Sequence, residues 1–362
     1  MILSSGSSCL DSQTVLPGQL GQITDTALVS CVPYAKTEGT HQCLLLANPY
    51  QGVARIFDAT DNQFILSPIG YFPLVVQVGQ APNKIATINN RIFTLDPINK
   101  AIYEIPTSFV SPVTNIFNQL DFSPNDFVLT LDTNKKIIAY VSQTDSLSKI
   151  ALETNDTPII PFITKTKIDH LQISQNQKYL LVATGTDLVI VDLQKSAPNV
   201  VVDLKGASVA SMTSDNDKVL LGLTDKTLVV IDLTTQKIVA TSPVLEETAA
   251  AVYLPSTLPG TPNPCCNGLT EWVGALLMNG KLQYWPYANQ EFKTPQTVDL
   301  VLTAGVSSFT LTNPIQLLGV QVENQEQDGL SCERRLFLVY SGAIFNTCEG
   351  TSGIKRVDQM EY

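Results

Sequence analysis

The chain is poor in the residues that most chemistry needs. It has two histidines and two tryptophans in 362 residues, and only 15% of it is charged, against about 25% in an average soluble protein. Basic residues are outnumbered, with 22 Lys and Arg against 33 Asp and Glu and a net charge of −11. No basic run is longer than the pairs Lys135-Lys136 and Arg334-Arg335. A nucleic-acid partner, which needs a basic face to displace counterions, is therefore excluded, and an anionic membrane surface would repel the chain. No apolar run approaches the ~18 residues of a membrane-spanning helix. CxxC and CxxCH pairs, a GxSxG elbow, a P-loop and a strand-borne GxGxxG are all absent. No metal or cofactor is expected from this set. Long Pro/Gly/Ser linkers and helix-period stretches are missing too.

What is present is repetition. "GTDLVIVDLQKSAPNVVVDL" (185–204) parallels "DKTLVVIDLTTQKIVATSPV" (225–244). Each is an apolar strand closed by Asp, a polar turn and a second apolar strand. Upstream of these lie "KIDHLQISQNQKYLLVAT" (167–184) and "ASVASMTSDNDKVLLGLT" (207–224). Each unit thus reads as four short strands within about forty residues, joined by Ser, Asn, Asp and Gly turns. Looser copies follow at 42–66, 81–105 and 119–152, and two enlarged ones at 245–300 and 301–349. The strand-closing position falls at Asp58, Asp96, Asp192 and Asp232, with Ser142 in its place in the third copy. These carboxylates are expected to accept hydrogen bonds from the turn that follows. A period of 40–50 residues with four strands each predicts an all-β β-propeller of seven four-stranded blades. The expected layout is a tether over 1–23, one propeller domain over 24–355 and a tail over 356–362.

The segments "VGQAPNKIATIN…RIFTLD" and "LVVIDLTTQKIVAT" resemble the YVTN-type family of seven-bladed propellers, over about residues 79–243. That resemblance implies the fold and little about function. WD40 repeats fit worse, because no His-Gly partner recurs beside the two tryptophans. Relatives of this family include lactonases and quinone-dependent dehydrogenases. The dehydrogenases can set a vicinal disulfide against their cofactor, which brings Cys265-Cys266 into view.

Seven cysteines leave one unpaired. Cys31 and Cys43 flank "VPYAKTEGTHQ" and Cys332 and Cys348 flank "ERRLFLVYSGAIFNT", each pair expected to oppose across a hairpin. Cys265 and Cys266 either pair with each other or stay free, and the pairing among these six is left open. Cys9 is then the odd one. "MILSSGSSC" is similar to the end of a bacterial lipoprotein signal, with Cys9 as the lipid-bearing residue, although Gly6 stands where the lipobox has Leu. On this reading the protein is extracytoplasmic, an outer-membrane lipoprotein or surface protein held to the membrane by its lipid.

His170, on the expected innermost strand of the fourth blade, is the candidate channel residue. His41 is expected near a solvated turn. "DATDNQ" (58–63) is superficially like a calcium loop but fits a hairpin turn. The insertions at 254–271 and 321–335 are candidate interaction loops, with Pro264, Asn267, Trp272, Trp285, Asp328 and Arg334 as candidate contact residues, although most of the blade-six aromatics, Trp272, Tyr284, Trp285 and Tyr287, are expected to pack between blades. The function expected is a non-catalytic scaffold that binds other envelope or surface proteins, an accessory subunit of a surface or secretion assembly. The alternatives are a carbohydrate- or peptide-binding propeller, or an enzyme of the lactonase or quinoprotein kind. A histidine with acidic neighbours facing a deep channel pocket would favour a ligand binder or an enzyme over the scaffold.

Overall fold

A computed structural model of the chain describes residues 22–31, 41–61, 63–65, 74–107, 109, 113–117, 120–153, 159–163, 166–195, 199–254, 272–288, 290–299, 313–327, 330–348 and 354–356. Among these residues there is no helix, and the strands form seven antiparallel sheets. Blade one is β1 (Asp25–Cys31), β2 (His41–Asn48), β3 (Val53–Asp58) and β4 (Gln63–Phe64), with β5 (Val75–Gln77) also on β3. Blade two is β6 (Lys84–Ile88), β7 (Arg91–Asp96), β8 (Ala101–Ile105) and β9 (Thr114–Phe117). Blade three is β10 (Asp126–Leu131), β11 (Ile137–Ser142), β12 (Ser146–Ala151) and β13 (Ile159–Ile163). Blade four is β14 (Ile168–Ile173), β15 (Tyr179–Thr184), β16 (Asp187–Asp192) and β17 (Val200–Asp203). Blade five is β18 (Val209–Ser214), β19 (Lys218–Leu223), β20 (Leu228–Asp232) and β21 (Lys237–Thr241). Blade six is β22 (Ala249–Tyr253), β23 (Trp272–Leu277), β24 (Lys281–Ala288) and β25 (Glu291–Phe292), with β26 (Gln296–Asp299) also on β24. Blade seven is β27 (Pro314–Gln327), β28 (Leu330–Tyr340), β29 (Ile344–Cys348) and β30 (Ile354–Arg356).

The first strand of each blade neighbours the first strand of the next, so β1, β6, β10, β14, β18, β22 and β27 line a central channel in cyclic order. This is a seven-bladed β-propeller.

The second strands explain the apolar runs in the sequence. A blade is sandwiched between two others, so both of its faces must be apolar. In β2, Cys43, Leu45 and Ala47 pack towards blade two, while Leu44 and Leu46 pack towards blade seven. In β15, Leu181 and Ala183 face blade five and Leu180 and Val182 face blade three. The core is accordingly seven apolar layers, one between each pair of neighbouring blades. A side chain of Leu, Ile or Phe size contributes about 1.5–3 kcal/mol by such burial.

Among the described residues every blade is contiguous in sequence, and blades one and seven meet through packed side chains with no strand exchanged between them. Phe57, Phe64 and Leu44 of blade one meet Phe337, Val339 and Ile344 of blade seven. The Ile23 N–H donates to the Ser341 carbonyl at 3.2 Å across the same seam.

Turn chemistry follows the sequence closely. Asn89 and Asn90 both take positive φ (48° and 59°) in the two-residue β6–β7 turn, the backbone that hairpins of this length require. Asp58 Oδ1 accepts from the N–H groups of Thr60 and Asp61, Asp192 Oδ1 from Gln194, and Asp232 Oδ1 from Thr235. The repeat alignment is corrected at two of its positions. Asp58, Asp192 and Asp232 close third strands, whereas Asp96 and Ser142 close second strands. The pattern apolar strand, polar turn, apolar strand is the same for either hairpin, so sequence similarity slipped by one strand. Asp96 still collects turn donors, from Ile98 and Asn99, and it also binds the N–H groups of Gln80 and Ala81. Gly79, at φ +60°, passes so close to that carboxylate that a Cβ would collide with it.

Cys31 and Cys43 form a disulfide with Cα atoms 5.9 Å apart. They are diagonal and not directly opposed, since Cys31 pairs with His41 and Val29 with Cys43. Both lie in the apolar layer between blades one and two. Cys332 and Cys348 do not oppose each other. Cys332 pairs with Gln325 and Cys348 with Arg335. That offset of three residues is roughly 10 Å along a strand, beyond the reach of a disulfide.

Candidate functional site

The channel is built from the first residues of the inner strands, and its wall is uneven. In β14, β18, β22 and β27 a bulge follows the first paired residue, at Ile168/His170, Val209/Ser211, Ala249/Ala251 and Pro314/Gln316. Strands β1, β6 and β10 pair without that shift. A bulge turns the side chains beside it and increases local twist. Blades one to three therefore differ from blades four to seven in how they present their first residues.

The three regular blades start with charge. Asp25, Lys84 and Asp126 open β1, β6 and β10, and His170 follows on β14. All four line one cavity of about 450 Å3. Lys84 Nζ lies 3.7 Å from Asp126 Oδ1. Its pKa is raised, by the charges of Asp25 and Asp126 on either side, so it stays an ammonium. Burial raises the pKa of Asp25 despite Lys84 nearby and the N–H that Ile85 donates to Asp25 Oδ2 at 2.9 Å. Burial lowers the pKa of His170, against the pull of Asp126 and Asp169, so its ring is neutral at pH 7. These groups also hold blades together. Asp126 Oδ2 accepts the Leu171 N–H at 3.2 Å, and the Ser211 hydroxyl donates to the Ala249 carbonyl at 2.7 Å.

The opposite wall is neutral. Ala210, Met212, Ala250 and Leu318, all half-buried, line the same cavity from blades five to seven. A second space of about 420 Å3 lies at the other ends of the inner strands, among Ser30, Gln42, Asn89, Asn90, Ser174 and Gln177.

His41 is not at a solvated turn. It is 8% exposed, and its Nδ1 donates to Asp58 Oδ2 at 2.7 Å, since a carboxylate can only accept. Asp61 Oδ2 is 3.8 Å from the same nitrogen, and the three side chains bring donor atoms within 4.8 Å of one another. The sequence pattern of 58–63 hides this histidine, which arrives from the neighbouring strand. The arrangement anchors the β3–β4 turn to β2.

Of the contact residues expected from the sequence, Trp285 is corrected. It is 1% exposed and meets Phe292 edge to face at 6.1 Å, with Tyr284 and Tyr287 buried beside it. Blade six uses its aromatics as core because they sit on a central strand between two other blades. Residues 321–335 are also corrected. Residues 321–327 and 330–335 are strand and not loop, since β27 and β28 run on as a long antiparallel pair in which Arg334 faces Gln321. Trp272 begins β23. Cys9, Pro264, Cys265, Cys266, Asn267 and Asp328 lie outside the described residues. Sequence reasoning placed His170 on an inner strand but missed Asp25, Lys84 and Asp126. Their common signal is a charged residue opening the first strand of three successive units.

Comparison with known proteins adds the fold. No family model matches the chain, and no curated protein matches it. The crystal structure of Kluyvelomyces marxianus Hsv2 is similar, with a TM-score of 0.58 at 12% identity over 94% of this chain and 99% of that one. At that identity the likeness shows a shared architecture and carries no function. Matching chains number 1447, so the architecture is too widespread to point to an activity by itself. The YVTN-type resemblance rests on the residues that carry it.

Proposed function

We propose that this protein is a non-catalytic binding propeller that takes a small polar ligand in its central channel. One observation carries the reading: four consecutive inner strands place Asp25, Lys84, Asp126 and His170 in a single cavity. Titratable groups gathered in a concave site, with Asp25, Lys84 and His170 shifted from their ordinary pKa values, are the usual mark of a binding or active site. The fold suits either a ligand binder or an interaction scaffold, and the channel favours the first. The buried Cys31–Cys43 disulfide supports an extracytoplasmic setting, with Cys9 as the membrane tether in that reading.

A protein partner is the second reading. Tyr50 and Ile98, 76% and 63% exposed, stand on the β2–β3 and β7–β8 turns of adjacent blades. The segment between these turns ties them together, through Val78 to Gly52 and Gln80 to Asp96.

Native mass spectrometry on the protein purified from its own source separates the two. A small molecule that stays bound in the native state, and is lost when Ala250→Trp plugs the channel, supports the ligand reading. An empty channel in a protein that co-purifies with a partner, lost on Tyr50→Asp but not on Ala250→Trp, supports the second.

A further inference from the structure

Blade one gathers a second set of chemically active side chains, away from the channel. His41 opens β2, Asp58 closes β3, and Asp61 lies in the turn that follows. Their donor atoms, His41 Nδ1, Asp58 Oδ2 and Asp61 Oδ2, all lie within 4.8 Å of one another. Among the described residues this is the one place where three metal-ligating side chains converge. The imidazole and one carboxylate are buried, with His41 8% and Asp58 1% exposed, so the cluster is not a patch of solvated acids.

The donors are held from behind. Asp58 Oδ1 takes the N–H groups of Thr60 and Asp61, which leaves Oδ2 turned to His41. Cys31 stands opposite His41 in the ladder, and Cys43 stands opposite Asp58. Directly opposed residues share a sheet face. The Cys31–Cys43 disulfide therefore cross-links the face that carries both donors. Donors fixed by a rigid sheet and by supporting hydrogen bonds are what a metal site requires.

The spacing suits a small ion. Nδ1 is 2.7 Å from Asp58 Oδ2 and 3.8 Å from Asp61 Oδ2. A tetrahedral zinc ion, bonded at about 2.0–2.2 Å, sets its nitrogen and oxygen ligands roughly 3.3 Å apart. The two separations straddle that value, so side-chain shifts of about 1 Å would seat the ion. One N–H reaches one carboxylate oxygen at a time, whereas a divalent cation is shared by both carboxylates. The donor set also selects the metal. Calcium takes about six to eight oxygens, while an imidazole nitrogen with two carboxylates suits zinc and its transition-metal neighbours.

We propose that His41, Asp58 and Asp61 bind one divalent ion of the zinc class, with water in the remaining position. The water lies on the side of Asp61, whose side chain is 20% exposed. On binding, Nδ1 loses its proton to solvent, and Nε2 carries the one that a neutral imidazole keeps. The ion then clips the β3–β4 turn to β2, as the hydrogen bond does in the metal-free chain. None of the three residues lines the channel cavity, so this site stands or falls independently of the channel reading.

The test is isothermal titration calorimetry of the full chain with Zn2+ and with Ca2+. Free thiols are first alkylated without reduction, so that zinc does not report on cysteine. The expected result is one Zn2+ per chain, bound at least tenfold more tightly than Ca2+. His41→Gln and Asp61→Asn are each expected to weaken Zn2+ at least tenfold. Asp225→Asn, at an exposed turn of another blade, is expected to leave it unchanged. Asp61→Asn keeps the hydrogen bond between His41 and Asp58, so its loss of zinc does not come from unfolding. Zinc that binds Asp61→Asn as tightly as wild type is an adventitious ion only and would overturn the site, as would no zinc binding by the wild type. Calcium bound as tightly as zinc would overturn the metal class.

Discussion

Phe57 of the first blade and Phe337 of the last meet edge to face, ring centroids 6.1 Å apart at an interplanar angle of 71°. This contact lies in the one seam where the two ends of the ring must find each other. Both side chains are fully buried, and Phe64 completes the cluster at 5.3 Å from Phe57. Among the described residues no strand is exchanged across the seam, and apolar packing joins the two blades.

Phe337→Ala should therefore be severe. A buried Phe→Ala truncation costs about 3–5 kcal/mol, and here it falls on the seam. Urea denaturation should show a midpoint well below wild type. A shift smaller than ~1 kcal/mol would mean that the seam is closed by something other than this layer.

The Asp residues that close third strands should differ in cost. Asp58 is 1% exposed and holds two turn N–H groups as well as His41. Asp232 accepts from Thr235 at the surface. Asp58→Ala leaves buried donors unserved and should cost about 3–5 kcal/mol, whereas Asp232→Ala should cost about 1 kcal/mol. Equal losses by thermal or urea unfolding would contradict the assignment of His41 and Asp58 as an internal lock.

The fold was legible because its physics is local and repeated. Period-two apolar runs with turn residues between them fix strands and hairpins, and seven copies fix the ring. The alignment of Asp96 with Asp58 failed because consecutive hairpins of a blade look alike in one dimension. Trp285 was misread because an aromatic near an insertion looks like a contact residue until a second blade is packed over it. The channel charges went unseen because Asp25, Lys84 and Asp126 are about forty to sixty residues apart. Only the packing of blades one to three side by side brings them together. His170 was found because it was one of two histidines and sat on a recognisable inner strand.

Reduction should be costly at one known bond. Closing the short Cys31–Cys43 loop is worth about 3 kcal/mol in the chain-entropy picture. Cys31→Ala with Cys43→Ala should lose roughly that much in urea. A peptide map without reduction should recover Cys31 linked to Cys43 and no Cys332–Cys348 peptide, given their offset register. Recovery of a Cys332–Cys348 link would show that the last blade pairs differently from the structure.

His170 should make stability fall on mild acidification. Its folded pKa lies below the ordinary histidine value of about 6.5 because burial disfavours the imidazolium. The unfolded chain then takes the proton first as pH drops through 6.5, and the native state loses stability down to the folded pKa. His170→Gln removes that term, so its stability should be flatter than wild type below pH 6.5. Parallel profiles for the two proteins would contradict a buried, neutral His170.

The most direct test of the channel reading is a crystal structure of the protein purified from its own source without added ligand. The account predicts a small polar molecule in the channel, within hydrogen-bond distance of at least one of Asp25, Lys84, Asp126 and His170. A channel holding only ordered water would contradict the account and leave the propeller a scaffold that works from its faces.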